Sequence, residues 1–202
     1  KKKKNGTNWT EVNDLNTARY GQGSARQTAS STIIFGGRVS TPADSALAES
    51  WNGTNWTEEN DLSTARNQLG GAGSSNTNAI AFGGNTVTAT EEWTGAGVAI
   101  GAWSTGGNLN TGRNNLAGAG TYTAALAVSG EVPGSGNVAV VEQYNGSNWT
   151  EIADVNTARQ HLDGTGTITS SLVFGGYSTT ITGDTESWNG SAWTEVNNLN
   201  TA

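Results

Sequence analysis

One motif recurs down this chain, and its recurrence limits the available folds more than any other feature. NGTNWTEVNDLNTAR at 5–19 returns as NGTNWTEENDLSTAR at 52–66, as NGSNWTEIADVNTAR at 145–159 and as NGSAWTEVNNLNTA at 189–202. A degraded copy, GAWSTGGNLNTGR, occupies 101–113. The tryptophans of the motif, Trp9, Trp56, Trp103, Trp149 and Trp193, are spaced by 47, 47, 46 and 44 residues. Two other landmarks keep step. One is an apolar run ending in glycine: IIFGG (33–37), IAFGG (80–84), LAVSG (126–130) and LVFGG (172–176). The other is Glu-x-aromatic: Glu49/Trp51, Glu91/Trp93, Glu142/Tyr144 and Glu186/Trp188. Self-similarity at this period marks a stacked array, because a unit of such size cannot bury its own faces alone.

Each unit reads as four short strands. Strand a is Gly- and Ser-rich, with GAG at 71–73 and 118–120, GTG at 164–166 and SAR at 24–26. Strand b is the apolar run, continuous as befits a strand buried on both faces. After a variable loop, Glu-x-aromatic forms strand c and the WTEV-like segment forms strand d. The Asn-Gly between them (52–53, 145–146, 189–190) predicts a two-residue type I′ turn. The third unit carries TGAGVAIGA (94–102) there, which predicts a longer hairpin. No segment has helical periodicity.

Four-stranded sheets of this kind bury both faces when they stand radially around an axis. Glycine at alternate positions of strand a fits the crowded centre, and the aromatics of c and d fill the widening gaps farther out. The expected fold is therefore all-β, a β-propeller of four complete four-stranded antiparallel blades plus an extra N-terminal outer strand at about 7–12. That strand has no a, b or c of its own. Its presence favours a piece of a longer array, or a chain completed by another copy. Residues 5–202 read as one repeat domain, with units at 5–19 (partial), 20–66, 67–113, 114–159 and 160–202.

The order FGG, variable loop, Glu-x-Trp/Tyr, Asn-Gly, Trp and a short loop ending in Arg resembles the kelch repeat. The closely matched copies also resemble Trp-rich kelch-like arrays of phage and bacterial genomes. The resemblance implies a kelch-like propeller. The third unit departs from it, with VSG for FGG and TGR for TAR.

All four lysines are Lys1 to Lys4, a run read as a tag, a tail or an arbitrary assignment, the more so because it falls where other units carry AESW (48–51) or TESW (185–188). The rest carries six Arg against 17 carboxylates. Such an acidic body argues against nucleic acid, whose phosphates need clustered Lys and Arg. With no Cys and a single His, Cys-ligated and multi-His metal sites are excluded, and no cofactor is expected. No apolar stretch is long enough for a membrane-spanning helix.

Residues that recur once per unit read as structural: Arg19, Arg66, Arg113 and Arg159, Glu49, Glu91, Glu142 and Glu186, and the five motif tryptophans. The Arg are expected to bond loop carbonyls or to pair with a Glu across adjacent sheets, since a buried charge needs a partner. Asp14, Asp61 and Asp154 read as turn formers, and His161 as a loop residue. The b–c loops are what varies between units, and variable loops on one face of a rigid scaffold carry specificity. Arg38, Asp44, Glu131, Tyr177 and Asp184 are the candidate ligand-binding residues.

The expected function is a non-catalytic binding or adhesion module, extracellular or on a cell or virion surface, with a protein or glycan ligand. A structural spacer or filament segment is the alternative. Copper radical oxidases occur among kelch-like propellers but use Cys and several His, so an enzyme is not expected; a paired-carboxylate hydrolase ranks behind both other readings.

Overall fold

The computed structural model describes residues 2–5, 7–40, 43–85, 87–95 and 101–201. Among them there is no helix. The chain opens with β1 (Lys2–Asn5) and β2 (Asn8–Glu11), a two-stranded antiparallel hairpin. Four blades follow. Blade 1 is β3 (Gly23–Thr28), β4 (Ser31–Phe35), β5 (Ala48–Trp51) and β6 (Trp56–Glu59). Blade 2 is β7 (Gly70–Ser75), β8 (Asn78–Phe82), β9 (Thr90–Thr94) and β10 (Ala102–Thr105). Blade 3 is β11 (Ala117–Thr121), β12 (Ala124–Val128), β15 (Val141–Tyr144) and β16 (Trp149–Ile152), with the ribbon β13 (Glu131–Val132) and β14 (Gly136–Asn137) in its b–c loop. Blade 4 is β17 (Asp163–Thr167), β18 (Ser170–Phe174), β19 (Thr185–Trp188) and β20 (Trp193–Val196). The molecule is a β-propeller of four antiparallel blades.

The innermost strands pack in the order β3, β7, β11, β17. Their closeness explains the glycines of strand a. A Cβ on Gly71 would stand 2.7 Å from the Ser24 carbonyl oxygen, and one on Gly118 would stand 2.2 Å from that of Gly71. Side chains do not fit where these backbones meet.

Three apolar layers lie between successive blades. Alternation along strand b sends one set of residues to each face. Ile33 and Phe35 of blade 1 meet Ala79 and Ala81 of blade 2, with Leu62 and Trp93. Ile80 and Phe82 meet Ala125 and Ala127, with Leu109, Tyr144 and Trp149. Leu126 and Val128 meet Val173, with Val155, Trp188 and Trp193. Large side chains on the leading face thus nest against small ones on the trailing face. The ring pairs Trp51–Trp56, Tyr144–Trp149 and Trp188–Trp193 lie directly cross-strand, with centroids 5.0–5.3 Å apart. The strand-d indole reaches back to the preceding unit: Nε1 of Trp56, Trp103 and Trp193 donates to the carbonyls of Asn13, Asn60 and Ala153. Trp9 is the exception, 64% exposed.

The type I′ expectation is corrected. Trp51 pairs with Trp56, so the loop holds the four residues 52–55. Gly53, Gly146 and Gly190 have positive φ but their preceding asparagines do not. Instead Asn52 Oδ1 accepts the backbone N–H groups of Thr54 and Asn55 at 2.9 Å, an Asx cap that Asn145 and Asn189 repeat. The side chain closes the turn that left-handed backbone was expected to close. In blade 2 the corresponding connection runs from 95 to 101, longer as expected, and 96–100 lie outside the described residues.

The lysine run takes the place of a strand c. Lys2 to Asn5 pair with Glu11 to Asn8, as Ala48 to Trp51 pair with Glu59 to Trp56 in blade 1. The hairpin repeats the c–d pairing of the blades.

Candidate functional site

The b–c loops and the d–a connectors share one end of the propeller, as antiparallel topology requires. A buried Arg–Glu pair pins each connector: Arg19 with Glu49, Arg66 with Glu91 at 2.9 Å, Arg113 with Glu142, and Arg159 with Glu186 at 2.5 Å. All eight side chains are at most 5% exposed. Each Glu also accepts connector N–H groups, as Glu49 does from Asn16 at 2.8 Å and Glu142 from Asn110 at 2.6 Å. Arg113 spends other donors on strand-end carbonyls, reaching Ala127 and Ser129, both at 2.9 Å. Desolvation pulls the Arg66 and Arg113 pKa below the usual value against the pull of their Glu partners. A guanidinium stays charged even so. Arg66 Nε and Arg159 Nε and Nη2 are buried without a hydrogen-bond partner, and burial keeps all four pairs out of reach of a ligand at the rim.

These clamps hold four equivalent backbone rungs. The residue after each Arg pairs with the residue after each b-strand glycine: Tyr20 with Arg38, Asn67 with Asn85, Asn114 with Glu131, and Gln160 with Tyr177. In the first, third and fourth blades the two backbones exchange both N–H···O bonds, at 2.7–3.1 Å. In the second, Asn85 donates its N–H to the Asn67 carbonyl, and Asn67 donates its own to Asn85 Oδ1. One register therefore presents a different side chain in each blade: Arg38, Asn85, Glu131 and Tyr177, with Asn85 in left-handed backbone at φ 47°.

A hydrogen-bonded belt joins the rungs. Gln68 N–H donates to the Gly21 carbonyl, Asn115 N–H to that of Gln68, and His161 N–H to that of Asn115, at 2.7–2.9 Å. These four residues occupy equivalent positions, each with φ between 53° and 64°. Left-handed backbone at three non-glycine residues is costly and persists only where the surroundings enforce it. The clamps and the belt supply that enforcement.

Among the five candidate residues, Arg38 and Asp44 come together. Two guanidinium nitrogens of Arg38, Nε and Nη2, each lie 2.8 Å from Asp44 Oδ1. Asn67 Nδ2 donates to the same oxygen and Asn85 Nδ2 to Oδ2, both at 2.7 Å. Partial burial works to raise the Asp44 pKa, but the hydrogen bonds from Arg38, Asn85 and Asn67 outweigh it and leave it below the ordinary carboxylate value. The hydrogen bond to Asp44 leads the causes that raise Arg38. Glu131 stands apart in blade 3, at the start of the β13–β14 ribbon. Tyr177 is 41% exposed and, with Gln160, His161, Gly176 and Ile181, lines a hollow of about 550 Å³. Asp184 accepts from Asn198 Nδ2 at 3.0 Å. The structure thus spreads the candidates around one rim instead of gathering them in a pocket.

Asn67, Asn85 and Gln160 belong to the same rim and were not singled out from the sequence. The signal that marks them is their register: each directly follows an Arg or a b-strand glycine, where the units stop agreeing. His161 lies in the belt. Asp14, Asp61 and Asp154 are exposed in the connectors. Among the described residues no cluster of His, Cys, Asp and Glu could hold a metal ion. No family model matches the chain, and no curated protein matches it.

Proposed function

We propose that this chain is a non-catalytic binding module of kelch-like type whose ligand meets the rim of Arg38, Asp44, Asn85, Glu131, Tyr177 and Asp184. The observation that carries this reading is the variation of side chain at one register of the blades. In blades 1, 3 and 4 the rung exchanges the same two backbone hydrogen bonds while its residue changes from cationic to acidic and aromatic, and in blade 2 an asparagine stands there. The Arg–Glu clamps beneath repeat in all four blades, so the fold does not ask for such a change. Propellers commonly serve as binding or scaffold modules, and rigid presentation lowers the ordering cost of association. The polar, aromatic-bearing rim suits a glycan or a polar protein surface, and the low charge and Thr/Ser/Asn-rich repeats suit display outside a cell or on a virion.

The test is binding to a glycan array and to intact cells, with the native protein and the triple variant Arg38→Ala, Glu131→Ala, Tyr177→Ala. The native protein is expected to bind a restricted set. The variant is expected to lose that binding while melting within a few degrees of the native protein. Retained binding by the folded variant, or no binding by the native protein, would sink the proposal.

A further inference from the structure

Three separate features around the gap between blade 4 and blade 1 are incomplete in the same way. The first is the belt. It runs from Gly21 to His161, but among the described residues no backbone bond links the Gly21 N–H to the His161 carbonyl. The second is the sheet edge of the hairpin. In each blade strand c pairs with strand b on one side and strand d on the other, whereas among the described residues β1 pairs with β2 alone. The third is the leading face of blade 4. Leu172 is 40% exposed, whereas Ile33, Ile80 and Leu126 at the same position are fully buried. Leu199 is 46% exposed, and its counterparts Leu62, Leu109 and Val155 are each 3% exposed.

Neighbours of these features border one space. A cavity of about 1150 Å³ is walled by the innermost strands, by Trp9 and Val12 of the N-terminal segment, by Ile34 and Trp51 of blade 1, and by Phe174 of blade 4. Across it, among the described residues, Arg26 and Asp163 form an ion pair at 3.6 Å, with both side chains more than 60% exposed. A pair so open to water contributes little, so it does not close the ring.

We propose that this cleft takes up a two-stranded a–b hairpin of the repeat's own type, which completes a fifth blade with β1 and β2. The occupant's chemistry follows from what is missing. A left-handed residue must bridge the His161 carbonyl to the Gly21 N–H. A glycine-alternating strand must lie between β17 and β3, as β7 lies between β3 and β11. An apolar strand must pair with the free edge of β1 and set small side chains against Leu172 and Phe174. A second copy of this chain has all four of its a–b pairs inside complete blades, so it offers no free hairpin. Continuity with the three existing interfaces also places Trp9 against Leu199, as Trp103, Trp149 and Trp193 lie against Leu62, Leu109 and Val155.

Two arms test the proposal. In one, a copy of 159–176 is fused after Ala202, which re-creates the Ala158–Arg159 junction; in the other, the 159–176 peptide is added in trans. Expected results are a monomer whose Tm rises by about 5 °C or more, a blue shift in emission that the Trp9→Phe variant lacks, and 1:1 peptide binding. The same residues in shuffled order are expected to do none of this. If the fused chain does not fold, the peptide arm decides. Unchanged Tm and unchanged Trp9 quenching, equal effects from the shuffled hairpin, or a native dimer that already shields Trp9 would each overturn it.

Discussion

Arg159 donates to Glu186 Oε1 at 2.5 Å, and neither side chain is more than 1% exposed. The same Glu accepts the Asn156 N–H through Oε2 at 2.7 Å, so one carboxylate ties a guanidinium and a connector backbone to strand c. Repeated four times, this arrangement turns a tolerated buried charge into the hinge pin of each blade.

Removing one partner of such a pair leaves the other charge buried and alone. Arg113→Met is therefore expected to cost about 3–5 kcal/mol, read from the urea midpoint. Adding Glu142→Leu is expected to recover only part of that loss. The double variant still strips the Ala127 and Ser129 carbonyls and the Asn110 N–H of their partners. Full recovery would show that the carboxylate–guanidinium contact alone matters.

Tyr144 offers a readout at alkaline pH. Desolvation first, then its 2.6 Å hydrogen bond to Glu92 Oε1, pushes the phenol up from 10.0 to about 12. Between those values the unfolded chain releases a proton that the folded chain keeps. Stability from this group is complete below pH 10 and is lost as pH rises toward 12. Tyr144→Phe is expected to flatten that slope, and tyrosinate absorbance at 295 nm should show one tyrosine titrating late.

Asp44 gives the opposite dependence. Its pKa is held down in the folded state, so its contribution is present above the ordinary carboxylate pKa and fades as pH falls through the folded value. Asp44→Asn is expected to remove that part of the acid sensitivity. Carboxyl chemical shifts followed against pH would report an unshifted Asp44 if the Arg38 and Asn85 contacts do not hold in solution.

The repeat was enough to read the strands, the blade count and the inter-blade role of the aromatics, because packing demands recur with the period. Features that depend on a closed set of contacts were not legible. Nothing in Gln68, Asn115 or His161 announces positive φ, since the belt that enforces it joins residues some 46 positions apart. The Asn-Gly pairs pointed to a two-residue turn because the sequence does not show whether Asn52 will use its backbone or its side chain. A lysine run has poor strand character, yet Lys2–Asn5 occupies a c-strand register, set by the Asn8–Glu11 partner that the repeat specifies. The rim was legible as variable loops, but the Asp44–Asn67–Asn85 contacts cross between units and no pattern within one unit reports them.

The inner strands give a graded test of how closely the blades stand. A Cβ at Gly118 would meet the Gly71 carbonyl oxygen at 2.2 Å, one at Gly71 would meet that of Ser24 at 2.7 Å, and one at Gly164 would meet that of Gly118 at 3.2 Å. The obstacle in each case is backbone, which cannot swing aside as a side-chain tip can. Alanine is therefore expected to destabilise in the order Gly118, Gly71, Gly164. Overpacking of this kind costs about 1–3 kcal/mol, or roughly 2–4 °C in Tm per kcal/mol for a chain of this length. Gly164→Ala should fall near zero, because at 3.2 Å a small shift of blade 4 relieves the contact and its leading face has no fifth blade to resist. Equal losses at all three sites would mean that the inner strands are evenly spaced around a closed ring.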